Sequence, residues 1–321
     1  MRVNIALAVT CSSNAVSETK KVVVKEAMEN IQPSEIFKSF DLDVITEDIQ
    51  RIAELELHER VDEIPRCLDM LKDMLQKETD LTPCMDDNFL LMFLRARKFD
   101  CQLAFNLIKK YFMAPVTYPS MFRNFTPRSC MNAINSNLHY FLPYRNADGC
   151  AILLSKFGKW DPTTLPCDEL LKFNIMCNEM AIKNPVTQIC GVITIADMKD
   201  FSWSHLLQIQ ISDVRCFVST LQDCLPIRHK TTHIINHSSI FSVLYGLVKP
   251  LLTEKVKNRI YFHDDLQSLH KQISPEILPE SLGGRLSDLP NQDFYNSLIS
   301  NEENFVARQN YGYANRRHLS I

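Results

Sequence analysis

SSIFSVLYGLVKPLLTEKVKNR, residues 238–259, is the stretch on which the reading of this chain turns. At about 100° per residue, Ile240, Phe241, Val243, Leu244, Tyr245, Leu247, Val248, Leu251 and Leu252 sweep out roughly 200° of a helical wheel. A helix lying on a globular core needs an apolar stripe about half that wide. Directly behind come Lys249, Lys255, Lys257 and Arg259. Two arrangements satisfy such a helix. It is buried on both sides, or one side closes a ligand cavity while the other meets a membrane. Pro250 interrupts the helix and Thr253 can cap a second, short one, so that the first is left as a discrete, lid-sized element. The cations after the break suit anionic headgroups.

Working outward, KTTHIIN (230–236) and RIYFHD (259–264) read as strands on either side of this helix. Arg228 and Lys230, two apart at the start of the first strand, should point to one side and form a second candidate anion site. Upstream lie a helix over 204–223, the strand QICGVITIAD (188–197) and a helix over 167–183. Before these, HYFLPYR (139–145), the turn NADG and AILLSKF (151–157) read as a hairpin. Helices alternating with strands predict βαβ units. The first part of the chain differs. Residues 41–63 carry nine acidic and two basic residues around a helical apolar pattern, a solvated helix. MDDNFLLMFLRARKFDCQLAFNLIKKYF (85–112) reads as two helices, capped by Asp87 and Asp100, with Phe89, Leu90, Phe93 and Leu94 lining the first and Leu103, Leu107 and Tyr111 inward on the second. The expected organisation is an N-terminal extension (1–40), a small helical domain (41–125), an α/β sheet domain (126–286) and a tail (287–321).

Composition narrows the function. The 321 residues carry a net charge of −3, so nothing global argues for nucleic acid. Eleven cysteines, none spaced as CxxC, give no support for zinc ribbons or redox dithiols and fit a reducing, cytoplasmic compartment. The opening MRVNIALAVTCSS has only Arg2 before a short apolar run, and the expectation is a flexible extension or an imperfect gene start rather than a cleaved signal. No apolar stretch reaches about 18 residues, so no bilayer span is expected. Among seven glycines no GxGxxG, GxxxxGK or GxSxG occurs, and so neither a phosphate cradle nor a nucleophile elbow is visible. His263, Asp264, Asp265 and His270 lack metal-binding spacing and read as a satisfied surface loop. No catalytic group, metal or cofactor is expected.

Several stretches together carry a resemblance. DDNFLLMFLRARKFD (86–100), FGKWDP (157–162), GVITIADMKDFSWSH (191–205), DCLPIRHKTTHIIN (223–236), FSVLYGLVKPLLTEKVKNRIYFH (241–263), SLHKQI (268–273) and PEILPESLGG (275–284) stand in the order and spacing of the CRAL-TRIO family, and resemble its tocopherol- and retinaldehyde-binding branch. The resemblance implies a helical N-terminal domain, then a mixed, largely parallel sheet whose helices wall a hydrophobic pocket under a helical gate. The stretch 238–259 holds the gate's place. It also implies phosphoinositide binding by basic residues, which fall here at Arg97, Arg228, Lys230 and Lys255. The implied pocket wall includes Leu171, Asn174 and Asn178 on one helix, then Phe217, Thr220, Leu221, Leu225, Ile227 and Thr232. From the gate it takes Phe241, Leu244, Leu247, Val248 and Leu251. Asn174 and Asn178, at i and i+4, share a helix face, and if buried their amides need partners: a ligand oxygen, water or backbone.

The chain departs from the family at several points. His237 and Ser238 follow Asn236 where a proline is usual, which predicts a softer gate hinge. Lys199 and Asp200 replace an acidic residue and a glycine, and Cys150-Ala151 stands where an arginine is common. The expected function is non-enzymatic binding and intermembrane transfer of a small hydrophobic lipid, such as a tocopherol or retinoid, aided by phosphoinositide membranes. The alternative is a phosphoinositide-dependent trafficking adaptor with a reduced pocket. A monomer is the default.

Overall fold

The structure is a computed structural model that describes residues 40–313; the expectations for 1–39 and for the last residues of the tail lie outside it. The acidic stretch folds as helix α1 (Glu47–Ile52) and continues as a π turn (Ala53–Leu57). It is less solvated than its charge implies: Ile49, Ala53 and Leu57 are buried, and Glu59 behind them is 1% exposed. Arg95 holds Glu59 with two hydrogen bonds, at 2.6 and 2.9 Å, and reaches Gln188 with a third at 2.7 Å. Helix α2 (Ile64–Gln76) then leads through the short strand β1 (Leu81–Thr82) to α3 (Asp87–Ala96). The cap of α3 is Asp86, one residue earlier than expected, whose carboxylate accepts from the Phe89 N–H at 2.9 Å. Asp87 instead sits in the first turn and pairs with Lys72.

Asp100 caps α4 (Cys101–Thr117) as its position predicts, accepting from the Leu103 N–H. Leu107 and Tyr111 face inward, but Leu103 is 50% exposed. The buried stripe is Ala104, Leu107, Ile108, Tyr111 and Phe112, and Leu103 lies about 100° off its centre.

The sheet has five strands in the order β2 (His139–Phe141), β3 (Ala151–Ser155), β4 (Val192–Asp197), β5 (His229–Ile235) and β6 (Ile260–Phe262). The β2–β3 hairpin is antiparallel and the other pairings are parallel, giving the mixed, largely parallel sheet expected. Helix α5 (Cys167–Ala181) follows the hairpin. The strand expected from Gln188 begins only at Val192, because residues before it form helix α6 (Pro185–Cys190). Asn184 starts that helix by accepting from the N–H groups of Val186 and Thr187, Pro185 fits its first turn, and Gly191 ends it at φ +92°.

The helix expected over 204–223 is two, α7 (Trp203–Gln208) and α8 (Ile211–Ser219), followed by a π turn (Thr220–Cys224). Ile209 and Gln210 between them are extended, and Ile209 packs against the core. Helix α9 (Ser239–Val248) lies between β5 and β6 in the chain; it ends in a 3-10 turn at Pro250, and the short α10 (Glu254–Lys257) comes next. After α11 (Leu266–His270), the described part of the tail folds as α12 (Gln292–Ser300), α13 (Glu302–Ala307) and strand β7 (Gly312–Tyr313), which pairs with β1.

Candidate lipid site and cation cluster

Strand register decides which side chains share a face. On one face lie His139, Ser155, Thr194, Ala196, His229, Thr232, Ile234 and Phe262. Helix α5 covers the β2 end of this face: Asn174 lies 3.5 Å from His139 Nδ1 and 3.4 Å from Ser155 Oγ, and Asn178 donates to Asn174 at 2.8 Å. His139 Nε2 is buried without a hydrogen-bond partner among the described residues. Burial pulls this imidazole's pKa down to about 3, so the ring is neutral. Farther along, Thr194, His229 and Thr232 form a polar trio, with Thr232 Oγ1 3.1 Å from His229 Nε2. All three are only half-buried, although they sit on interior strands.

The buried apolar side chains of the described residues fall into two clusters. The large one takes in Leu171 and Leu225, with Phe217, Leu221 and Ile227 packed at its margin. The small one is Ala196, Met198, Phe201, Ile234 and Phe241, joined by Leu244 and Tyr245 of α9. Of the residues expected at the pocket wall, Leu171, Asn174, Asn178, Thr220, Leu225 and Phe241 are buried. Phe217, Leu221, Ile227, Thr232, Leu244, Val248 and Leu251 are half-buried, and Leu247 is exposed.

Helix α9 is two-sided. Ser238 caps it, and Phe241 inserts beneath it against Phe201 and Phe262. Val243 and Leu247, on its other side, are 45% and 54% exposed. Helices α7 and α8 pack beside α9, and they expose Trp203 (56%), Leu207 (78%) and Ile211 (44%). Sequence reasoning missed these three; the run WSHLLQIQI reads as one helix, and its exposed apolar positions emerge only where the helix breaks. At its start α9 is preceded by Asn236 in the left-handed region, whose amide donates to Asp197 at 2.8 Å. Past its end, Gln222 donates to the Leu251 carbonyl at 3.1 Å and accepts from the Thr253 N–H at 2.9 Å.

The basic residues gather at the other end of β5. Arg228 and Lys230 do converge, though not by simple alternation. β5 carries a bulge there: Val192 pairs with His229 and the next residue, Ile193, with Thr231, leaving Lys230 as the extra residue. Gly191 is required alongside, since a Cβ on it would lie 2.4 Å from the Arg228 carbonyl oxygen. Lys255 is exposed on α10. Partial burial, then repulsion from Arg259, Arg97, Lys98 and Arg228, pushes its ammonium pKa down, so these cations share one field. Arg97, Arg228 and Lys255 thus share one field, and Lys230 stands beside Arg228 on a shared carboxylate. The partner that sequence reasoning missed is Glu56 of the π turn, whose Oε2 lies 2.6 Å from Arg228 Nη2 and 2.9 Å from Lys230 Nζ.

Comparison with known proteins gives the family of this helix-walled sheet and its two-sided helix. Residues 135–284 match the CRAL/TRIO domain. A mouse protein named alpha-tocopherol transfer protein-like is 34% identical over 264 residues, 82% of this chain and 77% of that one. Its human counterpart is 33% identical over the same shares, and rat clavesin-1 is 34% identical over 73% of this chain and 67% of that one. The solved structure of Sfh5 superposes at 14% identity with a TM-score of 0.48, over 83% of this chain and 100% of that one. The chain belongs to the CRAL-TRIO family of lipid-binding and lipid-transfer proteins. No helix among the described residues is long and apolar enough to cross a membrane, and no group of histidines, cysteines and carboxylates among them could hold a metal ion.

Proposed function

We propose that this protein binds one small hydrophobic lipid, a tocopherol, retinoid or similar isoprenoid, between the sheet and α9, and exchanges it at phosphoinositide-bearing membranes. The observation that carries this reading is the two-sidedness of α9, which offers Phe241 inward and Val243 and Leu247 outward. A helix whose only task was to cover a core would not expose such side chains next to a second exposed set, Trp203, Leu207 and Ile211. Together they suit insertion at the headgroup boundary, with Lys255 exposed and Arg97, Arg228 and Lys230 as further cations for anionic headgroups. The half-buried polar trio and the orphaned His139 nitrogen support an amphiphilic cargo: an apolar body beneath α9 and an oxygen for the neutral imidazole. Burying a dozen carbons is worth roughly ten kcal/mol at about 0.8 per methylene. Such a cargo needs a door, because leaving through water would forfeit that energy. The name of the mouse relative supports tocopherol as the first cargo to try.

Mass spectrometry of lipids that co-purify with the washed protein tests this directly. One defined lipid at close to one per chain is the expected result. A protein that purifies empty and takes up neither tocopherols nor retinoids overturns the carrier and leaves the trafficking-adaptor reading.

A further inference from the structure

The ion pairs at the cation cluster have an unusual form. Arg228 and Lys230 both reach the same oxygen of Glu56. Two cations converging on one oxygen is how a phosphate oxygen is held. Glu56 fills that place incompletely, because Arg228 Nη1 is buried without a partner among the described residues. A phosphate has further oxygens to offer it.

Bringing these groups together takes two irregularities, one in each partner. The carboxylate comes from a π turn, and Lys230 is the extra residue of a β-bulge. Both kinds of defect recur at functional sites. The π turn is anchored by Ala53 and Leu57, both fully buried, so its backbone stays in place while the Glu56 side chain remains half-exposed. Burial favours the neutral acid, but Lys230 and then Arg228 outweigh this and hold the carboxyl below its ordinary range, so it is charged at neutral pH.

We infer that Glu56 is a built-in competitor for the cation seat: its carboxylate stands where a phosphate of a phosphoinositide headgroup binds, and must swing out before Arg228 and Lys230 engage that headgroup. The inference rests on the headgroup reading of this cluster. It adds a resting state of low affinity, so that headgroup-poor membranes are passed over.

The test compares the full chain with Glu56→Gln, with Glu54→Gln as a control for general charge, and with Arg228→Ala/Lys230→Ala alone and combined with Glu56→Gln. The probes are phosphatidylcholine vesicles with and without phosphatidylinositol bisphosphate, and soluble inositol trisphosphate. Glu56→Gln is expected to bind both phosphate-bearing probes about tenfold more tightly, the scale of releasing two partly buried ion pairs. Glu54→Gln should leave affinity unchanged, and the gain should vanish with Arg228 and Lys230 removed. If Arg228→Ala/Lys230→Ala weakens binding but Glu56→Gln does not strengthen it, the seat stands and the competitor is overturned. If Glu54→Gln matches Glu56→Gln, the effect is a general field and the inference is again overturned. If no variant alters binding, the headgroup reading falls and the inference with it.

Discussion

Histidines 139, 229 and 233 share one physical situation: each imidazole is kept neutral by its surroundings. His233 Nδ1 lies 2.9 Å from His263 Nε2, and His263 Nδ1 lies 2.9 Å from Ser268 Oγ, a chain in which each contact uses one proton. Burial, then His263 and His229, lowers the His233 pKa to about 4; burial, then Arg259, does the same for His229. Since the folded values lie below the free value of about 6.5, the unfolded chain takes up protons first as pH falls. Stability is therefore complete above about pH 6.5 and is lost on descending toward pH 4, at about 1.4 kcal/mol per pH unit for each such histidine. Urea unfolding at pH 7 and pH 5 measures this, and equal midpoints would refute it. Side chains of this kind are legible in sequence only in part. Of His263, Asp264, Asp265 and His270, read as a satisfied surface loop, Asp265 caps α11 and His270, at the end of that helix, bonds the Leu282 carbonyl, while His263 is buried beside His233. Glu56 and Glu59 look solvated in sequence, because spacing in an acidic stretch says nothing of arginines far along the chain.

At the scale of elements, the legible ones announce themselves locally. An apolar arc twice the usual width marks α9, Pro250 marks its end, and Asp100 marks the start of α4. The α7–α8 break has no proline or glycine; Ile209, extended between the two helices, packs against the core. That break exposes apolar side chains that we propose for membrane contact. Replacing Trp203 and Leu207 with aspartate should weaken association with phosphatidylcholine–phosphoinositide vesicles more than tenfold, because each large apolar side chain is worth about 1.5–3 kcal/mol when buried. The urea midpoint should barely move, since both side chains are already mostly in water. Unchanged vesicle binding would remove α7 from the membrane face. The overall α/β arrangement is readable for the same local reasons as α9 and α4. The faces of β5 are not fully readable, because inward and outward positions on a bulged strand cannot be counted off by twos.

The molecule as a whole is closed by its last described residues. Phe294, Tyr295, Leu298 and Phe305 are buried, Tyr295 donates to the His139 carbonyl at 3.1 Å, and Arg308 pairs with Glu179 of α5 while its guanidinium lies 4.3 Å from the Tyr111 ring centre. Helical layer and sheet layer are thus bolted together by a segment with no local signal of order. Truncation after Ser287 removes these four large side chains and uncovers the apolar surface they pack on, a loss of about 1.5–3 kcal/mol each. It should leave a protein that aggregates or unfolds well below the urea midpoint of the full chain; a truncated form with the same midpoint would show the segment to be dispensable. The β1–β7 pairing, Leu81 against Tyr313, also imposes an order on biosynthesis. The helical layer emerges from the ribosome early, yet its small sheet stays half-made until translation has passed residue 313. Throughout that interval Leu81, buried in the finished fold, lacks the strand that pairs with it.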